Sequence, residues 1–143
     1  MNVIVAMYLS LVHQAGPNAV MNYLSSQCHD SRGILILTPC HGTPFYSHLH
    51  WNIPMKFLQC PPDLGDDNAS KDESELFAKN PLSWLISEVK LDKFDQVVFF
   101  DKLEIQLQAH LIKNGLKMCK KFWHTHIPDR NTSPNILIYC RKK

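Results

Sequence analysis

The sequence predicts an α/β fold, in which about three helices pack on a mixed sheet of four or five strands. Apolar runs of strand length occur at residues 33–37 and 96–100. The segments beside them carry helix-start signals followed by apolar residues at helical spacing. Near the carboxyl terminus, two further strand-like runs are separated by a turn-rich segment, which is typical of a hairpin.

The first helix begins at Gly16-Pro17, because proline is well suited to the first turn of a helix. Its apolar stripe is formed by Val20, Met21, Leu24 and Cys28. Arg32-Gly33 introduces the first strand at 33–37, and a short second strand is expected at 55–58. We therefore expect the chain to pass from helix to sheet within its first 60 residues.

Residues 61–71 are polar and rich in Asp, Gly and Asn, so they predict an exposed loop. Asp72-x-x-Glu75 is a capping-box pattern that opens a short helix. Asn80-Pro81 restarts the helix with a cap and a first-turn proline. The inward face of this second part is predicted to contain Leu82, Leu85, Ile86 and Val89.

After the apolar run 96–100, Asp101-x-x-Glu104 predicts a capped third helix. Its inward residues would be Leu103, Leu107 and Leu111, and Gly115 fits the position after its end. The last two strands are predicted at 118–126 and 135–140, joined by the turn-rich segment 128–134. They should pair as an antiparallel hairpin at one edge of the sheet.

Composition excludes several classes of protein. A chain of 143 residues fits one domain, and a net charge of +2 is too small to indicate binding of nucleic acid or of an anionic membrane surface. No G-x-G-x-x-G or P-loop pattern supports a nucleotide site. The five cysteines form no C-x-x-C pair, and their odd number does not indicate a disulfide framework. Cys119 and Cys140 are expected to be buried thiols.

The most informative segment is the loop 38–50, which follows the first buried strand. It carries three histidines, several hydroxyl groups, a tyrosine and a cysteine between prolines that limit its freedom, and 57–63 closes it. Loops at the ends of buried strands are where α/β proteins usually place their polar functional groups. The loop is therefore the predicted functional segment.

These motifs resemble the third-mannose GPI mannosyltransferases of glycosyltransferase family 22. That family has Pro-Cys-His-Ser-Thr-Pro, an aromatic-Ser-His-x-His segment and a Phe-Leu-x-Cys run followed by Pro-Pro. The matching residues here are 39–44, with Gly42 in place of the serine, then 46–50 and 57–62. The similarity continues through 80–85 and 122–128, and covers the chain from about Leu11 to Arg141. The family is polytopic, so most of its length is missing here.

The resemblance implies the C-terminal part of an enzyme that transfers mannose from dolichol-phosphate-mannose to a GPI precursor, forming the third, α-1,2-linked mannose. It implies an endoplasmic reticulum membrane location, a lumenal domain and no cofactor or metal. The acidic residue expected for catalysis lies in the family's first lumenal loop, which has no counterpart here. We therefore assign no catalytic residue, and we expect the isolated chain to be inactive.

The amino-terminal stretch 1–12 is apolar and uncharged, yet too short to cross a bilayer. By the resemblance it matches the lumenal end of the family's last transmembrane helix. Residues 1–13 are then expected to be the remnant of that helix, Met1 an internal or mispredicted start, and 14–143 the lumenal domain. The alternative is a free-standing α/β interaction module that derives from such a gene and has lost catalysis.

The candidate substrate contacts are polar residues of the segment 38–63: His41, Thr43, Tyr46, Ser47, His48 and Gln59. The competing interpretation is a rigid Ω-like loop that docks the domain onto the membrane-embedded bundle. His124 and His126 are expected to hydrogen-bond to this loop from a neighbouring strand.

The sequence disfavours a zinc site, a thiol hydrolase, a carboxylate site and stacking of tryptophans on a sugar. The pairs His48-x-His50 and His124-x-His126, placed on strands with Cys40 or Cys60, would offer zinc ligands, but without the usual spacing. Cys40-His41 lacks the geometry of a thiol hydrolase. The carboxylates Asp63, Asp66 and Asp67 are expected to be solvated. The three tryptophans are expected in the core rather than on a sugar: Trp51, Trp84 and Trp123.

Overall fold

A computed structural model describes residues 2–27, 29–40, 42–61 and 72–142. Five strands form one mixed sheet in the order β2-β1-β3-β5-β4. Strand β1 is parallel to β2 and β3, whereas β5 is antiparallel to β3 and β4. The strands are β1 (Ile34–Ile36), β2 (Met55–Phe57), β3 (Gln96–Phe100), β4 (Leu116–Trp123) and β5 (Asn135–Arg141). The predicted α/β class with a mixed sheet is confirmed.

Six α-helices are described, more than the sequence predicts. They are α1 (Asn2–Leu11), α2 (Gly16–Gln27), α3 (Phe45–Leu49), α4 (Glu73–Lys79), α5 (Pro81–Glu88) and α6 (Glu104–Lys113). Short 3₁₀ turns occur at Leu91–Lys93 and Asp101–Leu103. Helix α3 was missed because its five residues lie in a proline-rich segment that reads as a loop.

Helices cover both faces of the sheet. On one face, α2 and α3 pack against Ile34, Ile36 and Ile138. On the other face, α4, α5 and α6 pack against Leu35 and Phe99 of the sheet. Because β1, β3 and β5 are buried on both sides, their sequences are nearly continuous apolar runs.

The carboxyl-terminal hairpin forms as predicted, with β4 at one edge of the sheet. Strand β4 begins two residues before the predicted start and ends at Trp123, so His124 and His126 lie beyond it. Its exposed lysines, Lys117 and Lys120 among them, protect the free edge against pairing with another strand.

Two of the three predicted helix caps are observed. The side chain of Asp72 accepts a hydrogen bond from the Glu75 amide at the start of α4, and Asn80 does the same for α5. The prediction that Asp101 caps the third helix is wrong. Its carboxylate instead accepts hydrogen bonds from the Ser133 hydroxyl and from the side-chain amide of Asn135, and so ties β3 to the start of β5.

The predicted inward face of α5 is partly wrong. Leu85 and Val89 are buried and Leu82 packs against the same core, as predicted, but Ile86 is 57% exposed. Trp84 is buried on this helix instead. In α6, Leu107 and Leu111 are buried as predicted and Leu103 packs against the same core. Gly115 has φ +79° just past the helix end, which suits glycine.

Helix α1 contributes no buried residue to the core and is exposed except at Tyr8, which is half-buried. A turn at residues 12–14 joins it to α2, and Gln14 has a positive φ of 59°. By length and composition the helical stretch Asn2–Gln27 qualifies as a candidate membrane span, a test that a signal sequence or a core helix also passes. An apolar helix at this end is consistent with the end of a transmembrane helix.

Candidate functional site

The carboxyl ends of the adjacent parallel strands β1 and β3 form the most favourable place for a site. The chain leaves β1 toward α3 on one face of the sheet, and leaves β3 toward α6 on the opposite face. Where two neighbouring connections diverge in this way, a crevice opens outside the strand ends, and α/β proteins commonly bind ligands there.

A crevice of about 670 Å³ occupies this position, which is within the usual size of small-ligand sites. We call it the switch-point crevice. Its apolar wall includes Leu37, Leu58, Phe77 and Phe100. Its polar groups come from α4, from the end of β3 and from the hairpin turn: Asp72, Ser74, Glu75, Lys102, Arg130 and Asn131.

Hydrogen bonds hold several of these polar groups in place. The Lys102 ammonium donates to the Arg130 carbonyl at 2.9 Å, which links the end of β3 to the hairpin turn. The Ser74 hydroxyl oxygen is buried and has no partner among the residues that the structure describes. A buried hydroxyl without a partner costs free energy that a bound polar group would recover.

A disulfide between Cys40 and Cys60 lies beside the crevice, with the two Cα atoms 6.2 Å apart. A second disulfide joins Cys119 to Cys140 across β4 and β5. The prediction that the cysteines form no disulfide framework and that Cys119 and Cys140 are buried thiols is therefore wrong. Each pair is about 20 residues apart in sequence and meets only because its strands are neighbours in the sheet.

Three of the candidate substrate contacts have hydroxyls that form hydrogen bonds within the loop. Thr43 is buried, and its hydroxyl shares a hydrogen bond of 2.9 Å with that of Thr38. The Tyr46 hydroxyl donates to the Ile53 carbonyl at 2.9 Å. Ser47 donates to the Pro44 carbonyl. These bonds fold the segment 38–53 back onto itself.

The remaining candidates are placed differently. His48 is half-buried on α3, and its only hydrogen bond among the described residues is a long one of 3.5 Å to its neighbour Ser47. Gln59 is exposed, and its backbone amide donates to a Glu73 carboxylate oxygen at 3.1 Å. His41 lies outside the described residues.

The two His-x-His pairs do not lie on strands, contrary to the geometry weighed for a zinc site. His48 is helical and His50 has a left-handed backbone with φ 55°. Cys40 and Cys60 are bonded to each other and offer no thiolate to a metal or to a hydrolase. Within the ranges that the structure describes, no group of three or more His, Cys, Asp or Glu side chains could hold a metal ion.

The prediction that His124 and His126 hydrogen-bond to the loop 38–50 is also wrong, because both lie beside the amino-terminal helices. His126 Nδ1 shares a hydrogen bond of 2.9 Å with the Tyr8 hydroxyl. His124 is buried, its ring is 5.2 Å from that of Phe100, and neither ring nitrogen has a partner among the described residues. Burial lowers the pKa of His124, and the nearby His13 lowers it further.

The prediction that the tryptophans lie in the core is confirmed for one of the three. Trp84 is in the core, but Trp51 is 44% exposed and Trp123 is 38% exposed. The indole of Trp51 donates to the Ser25 carbonyl, and its ring contacts His29 edge-on, so it covers the end of α2. The three carboxylates of the segment 61–71 lie outside the described residues.

A smaller groove at the opposite, amino edge of the sheet is a weaker candidate, because its charges neutralise one another. Arg32 contacts the Asp95 carboxylate at 2.6 Å and Arg141 approaches it to 3.5 Å. Burial alone would raise the pKa of Asp95, but the hydrogen bonds and charge of Arg32 outweigh it and lower that pKa. The switch-point crevice is the site that sequence reasoning missed, since only the strand order brings its walls together.

Comparison with known proteins finds relatives along almost the whole chain. The chain is 40% identical to human "GPI alpha-1,2-mannosyltransferase 3" over 148 aligned residues, which are 99% of this chain and 27% of that protein. It is 38% identical to "Mannosyltransferase APTG1" of Arabidopsis thaliana, over 96% of this chain and 26% of that protein. It is 32% identical to "GPI mannosyltransferase 3" of Yarrowia lipolytica, over 90% of this chain.

The chain therefore spans about a quarter of the length of the curated relatives that it matches. No family model and no solved structure matches it. The resemblance inferred from the motifs of the segment 38–63 is confirmed by these relatives.

Proposed function

We propose that this chain, a homologue of the GPI mannosyltransferase 3 proteins over almost its whole length, is the C-terminal lumenal part of such an enzyme. The observation that carries the proposal is the identity of about 40% over 99% of the chain with a relative named for this activity. The division that follows is residues 1–13 as the end of a transmembrane helix and 14–143 as the lumenal domain.

The reaction we propose for the whole enzyme is transfer of mannose from dolichol-phosphate-mannose to a GPI intermediate, which receives its third, α-1,2-linked mannose. Such a transfer needs a general base at the acceptor hydroxyl and stabilisation of the departing phosphate. No residue of this chain matches the family's catalytic acidic residue, so we place the base in the rest of the enzyme. The isolated chain should then be inactive.

The position of α1 supports a membrane-facing carboxyl edge. Tyr8 contacts His126, and His13 Nδ1 lies 3.2 Å from the Thr125 hydroxyl, just beyond the end of β4. That end lies at the same edge of the sheet as the carboxyl ends of β1 and β3. If α1 continues a transmembrane helix, the switch-point crevice and the loop 38–50 are turned toward the membrane, where a lipid-linked substrate would be held.

Two disulfides support the lumenal side of the endoplasmic reticulum membrane. Disulfides persist in oxidising compartments and are rare in the cytosol. The Cys40–Cys60 bond also fixes the loop next to the crevice. A loop whose shape must be held in an oxidising lumen is consistent with a part in substrate binding.

We propose that the candidate contacts in the loop have two different roles. Three of them stabilise the loop's conformation, because their hydroxyls form hydrogen bonds inside it: Thr43, Tyr46 and Ser47. The exposed side chain of Gln59 and the half-buried imidazole of His48, which has only a long contact with Ser47 among the described residues, remain available to a substrate hydroxyl. His41 remains a candidate on sequence grounds.

The test is a chimaera in which this chain replaces the matching segment of the human relative, expressed in cells that lack that relative. The readouts are the mannose content of GPI intermediates and the surface level of GPI-anchored proteins. The chimaera should restore both, and His48→Ala should lower the transfer rate roughly 2- to 12-fold, the effect of one neutral hydrogen bond of about 0.5–1.5 kcal/mol.

His29→Ala is the matched control, because His29 is an exposed histidine at the opposite end of α2 from the crevice. Its transfer rate should equal that of the unmodified chimaera. A chimaera that is stable but inactive would contradict the proposal and favour the free-standing interaction module. If His48→Ala lowers protein abundance in step with activity, the loop is a docking element instead.

A further inference from the structure

We propose that the switch-point crevice binds a phosphate-bearing saccharide, either as the head group of a glycolipid or as a soluble sugar phosphate. The proposal deepens the proposed function and rests on it only for the surrounding enzyme. It follows from the kinds of groups that line the crevice, which differ between its two sides, and from their lack of partners in the described part of the chain.

Two cations lie on the side formed by β3 and the hairpin turn. Lys102 and Arg130 line the crevice, and neither forms a salt bridge with any residue of the described ranges. The bond from Lys102 to the Arg130 carbonyl holds its ammonium group at the crevice and leaves its other two hydrogens to donate. Lysine and arginine are the usual partners of phosphate oxygens.

Asp129, whose carboxylate is close enough to Lys102 for that charge to lower its pKa, forms no salt bridge with either cation in the described ranges. Asp129 Oδ1 accepts hydrogen bonds at 2.8 Å from the amides of both Asn131 and Thr132. These bonds lower the pKa of Asp129 and use its charge to hold the turn in shape. The cations therefore keep the capacity to bind an external anion.

The opposite side of the crevice is formed by the start of α4 and suits hydroxyl groups. Asp72 and Glu75 offer carboxylate oxygens that accept hydrogen bonds from sugar hydroxyls, while the Ser74 hydroxyl is buried there without a partner in the described part of the chain. The apolar wall around Phe77 and Phe100 would cover the carbon–hydrogen face of a sugar ring. A ligand that has both hydroxyls and a phosphate would satisfy both sides, whereas inorganic phosphate alone would leave Ser74 unpaired.

The experiment uses the whole 143-residue chain, ¹⁵N-labelled and held in phosphatidylcholine nanodiscs. Mannose 6-phosphate, mannose and inorganic phosphate are titrated separately, and amide shifts are followed by NMR. Mannose 6-phosphate should shift the amides of Ser74, Lys102 and Asn131 and should bind more tightly than either of the other probes. Nanodiscs that contain phosphatidylinositol distinguish a glycolipid head group from a soluble sugar phosphate. If the lipid weakens the binding of mannose 6-phosphate, the ligand is a lipid head group. If it does not, the ligand is soluble.

The double variant Lys102→Ala, Arg130→Ala should weaken binding of mannose 6-phosphate about tenfold or more, the effect expected when charged hydrogen bonds are lost. The matched control is Lys90→Ala, Lys117→Ala, which removes two exposed charges at the opposite edge of the sheet and should leave binding unchanged. Equal binding of mannose and mannose 6-phosphate, equal weakening in both double variants, or shifts confined to other residues would each overturn the proposal. None of these results would change the expected outcome of the chimaera experiment. Failure of the crevice proposal can therefore be distinguished from failure of the proposed function.

Discussion

Removal of the Cys40–Cys60 disulfide should destabilise the domain by about 3 kcal/mol. The perturbation is the double variant Cys40→Ala, Cys60→Ala. The bond closes a loop with a sequence separation of 20, and closing a loop of this length removes about 11 cal/mol/K of entropy from the unfolded chain. At 25 °C that entropy is equivalent to about 3 kcal/mol of stability.

Urea unfolding of the protein, produced under oxidising conditions, measures this loss. The signal is tryptophan fluorescence, to which Trp84, buried against Phe77 in the core, contributes the change on exposure to water. With a denaturant slope of about 1–3 kcal/mol/M, the midpoint should fall by roughly 1–3 M. Addition of a reductant to the unmodified protein should lower the midpoint further, because it opens both disulfides.

The second disulfide provides a matched comparison. Cys119–Cys140 has a sequence separation of 21, so loop closure predicts nearly the same loss for the double variant Cys119→Ala, Cys140→Ala. A loss below about 1 kcal/mol in either variant would refute the loop-closure reasoning for that bond. Detection of free thiols at Cys40 and Cys60 by alkylation and mass spectrometry would show that the bond itself is absent.

Three further predictions concern the packing around the sheet. Burial lowers the pKa of His124 below its ordinary 6.5, so the folded state favours the neutral ring. Its contribution to stability should therefore be complete above pH 6.5 and be lost as the pH falls through the folded-state pKa. His124→Phe, packed against Phe100, should reduce the difference in unfolding free energy between pH 7.5 and pH 5.5. Gly16→Ala should cost about 1–3 kcal/mol in urea unfolding, because a Cβ there would lie 2.9 Å from both His124 Cβ and Ile136 Cδ1; an unchanged midpoint would mean that α2 can shift freely. Arg141→Met should lower the thermal midpoint by several degrees, since the guanidinium donates to carbonyls at the ends of α6 and of the 3₁₀ turn before β3, and an equal midpoint would contradict that role.

Local signals in the sequence predicted most elements of the fold correctly. The apolar run at 96–100 is long enough, and the cap residues Asp72 and Asn80 specific enough, to place a strand and two helix starts without tertiary information. The same local reasoning failed at Asp101, whose pattern is a capping box but whose carboxylate binds Ser133 instead. A cap competes with any donor that the fold brings close, and the sequence does not show which donors those are.

The candidate site was only partly predictable for the same reason. The loop 38–50 was found because its composition is unusual and its motifs match a family. Helix α3 within it was not found, because it depends on packing against α2 and β2. The buried bond between Thr38 and Thr43 was not found either, because it depends on how the loop folds back. Lys102 and Arg130 carry no local signal at all, since an exposed lysine or arginine resembles any other solvated charge.

The class of fold, the hairpin and the resemblance to a family can be inferred from the sequence, because they depend on periodicity and on contiguous motifs. The order of the strands, and with it the two disulfides and the switch-point crevice, emerges only from the packing of the folded chain. Cys40 meets Cys60 and β1 meets β3 across separations of about 20 and about 60 residues. Such contacts are selected by the burial of apolar surface over the whole sheet, which no short segment of the chain encodes.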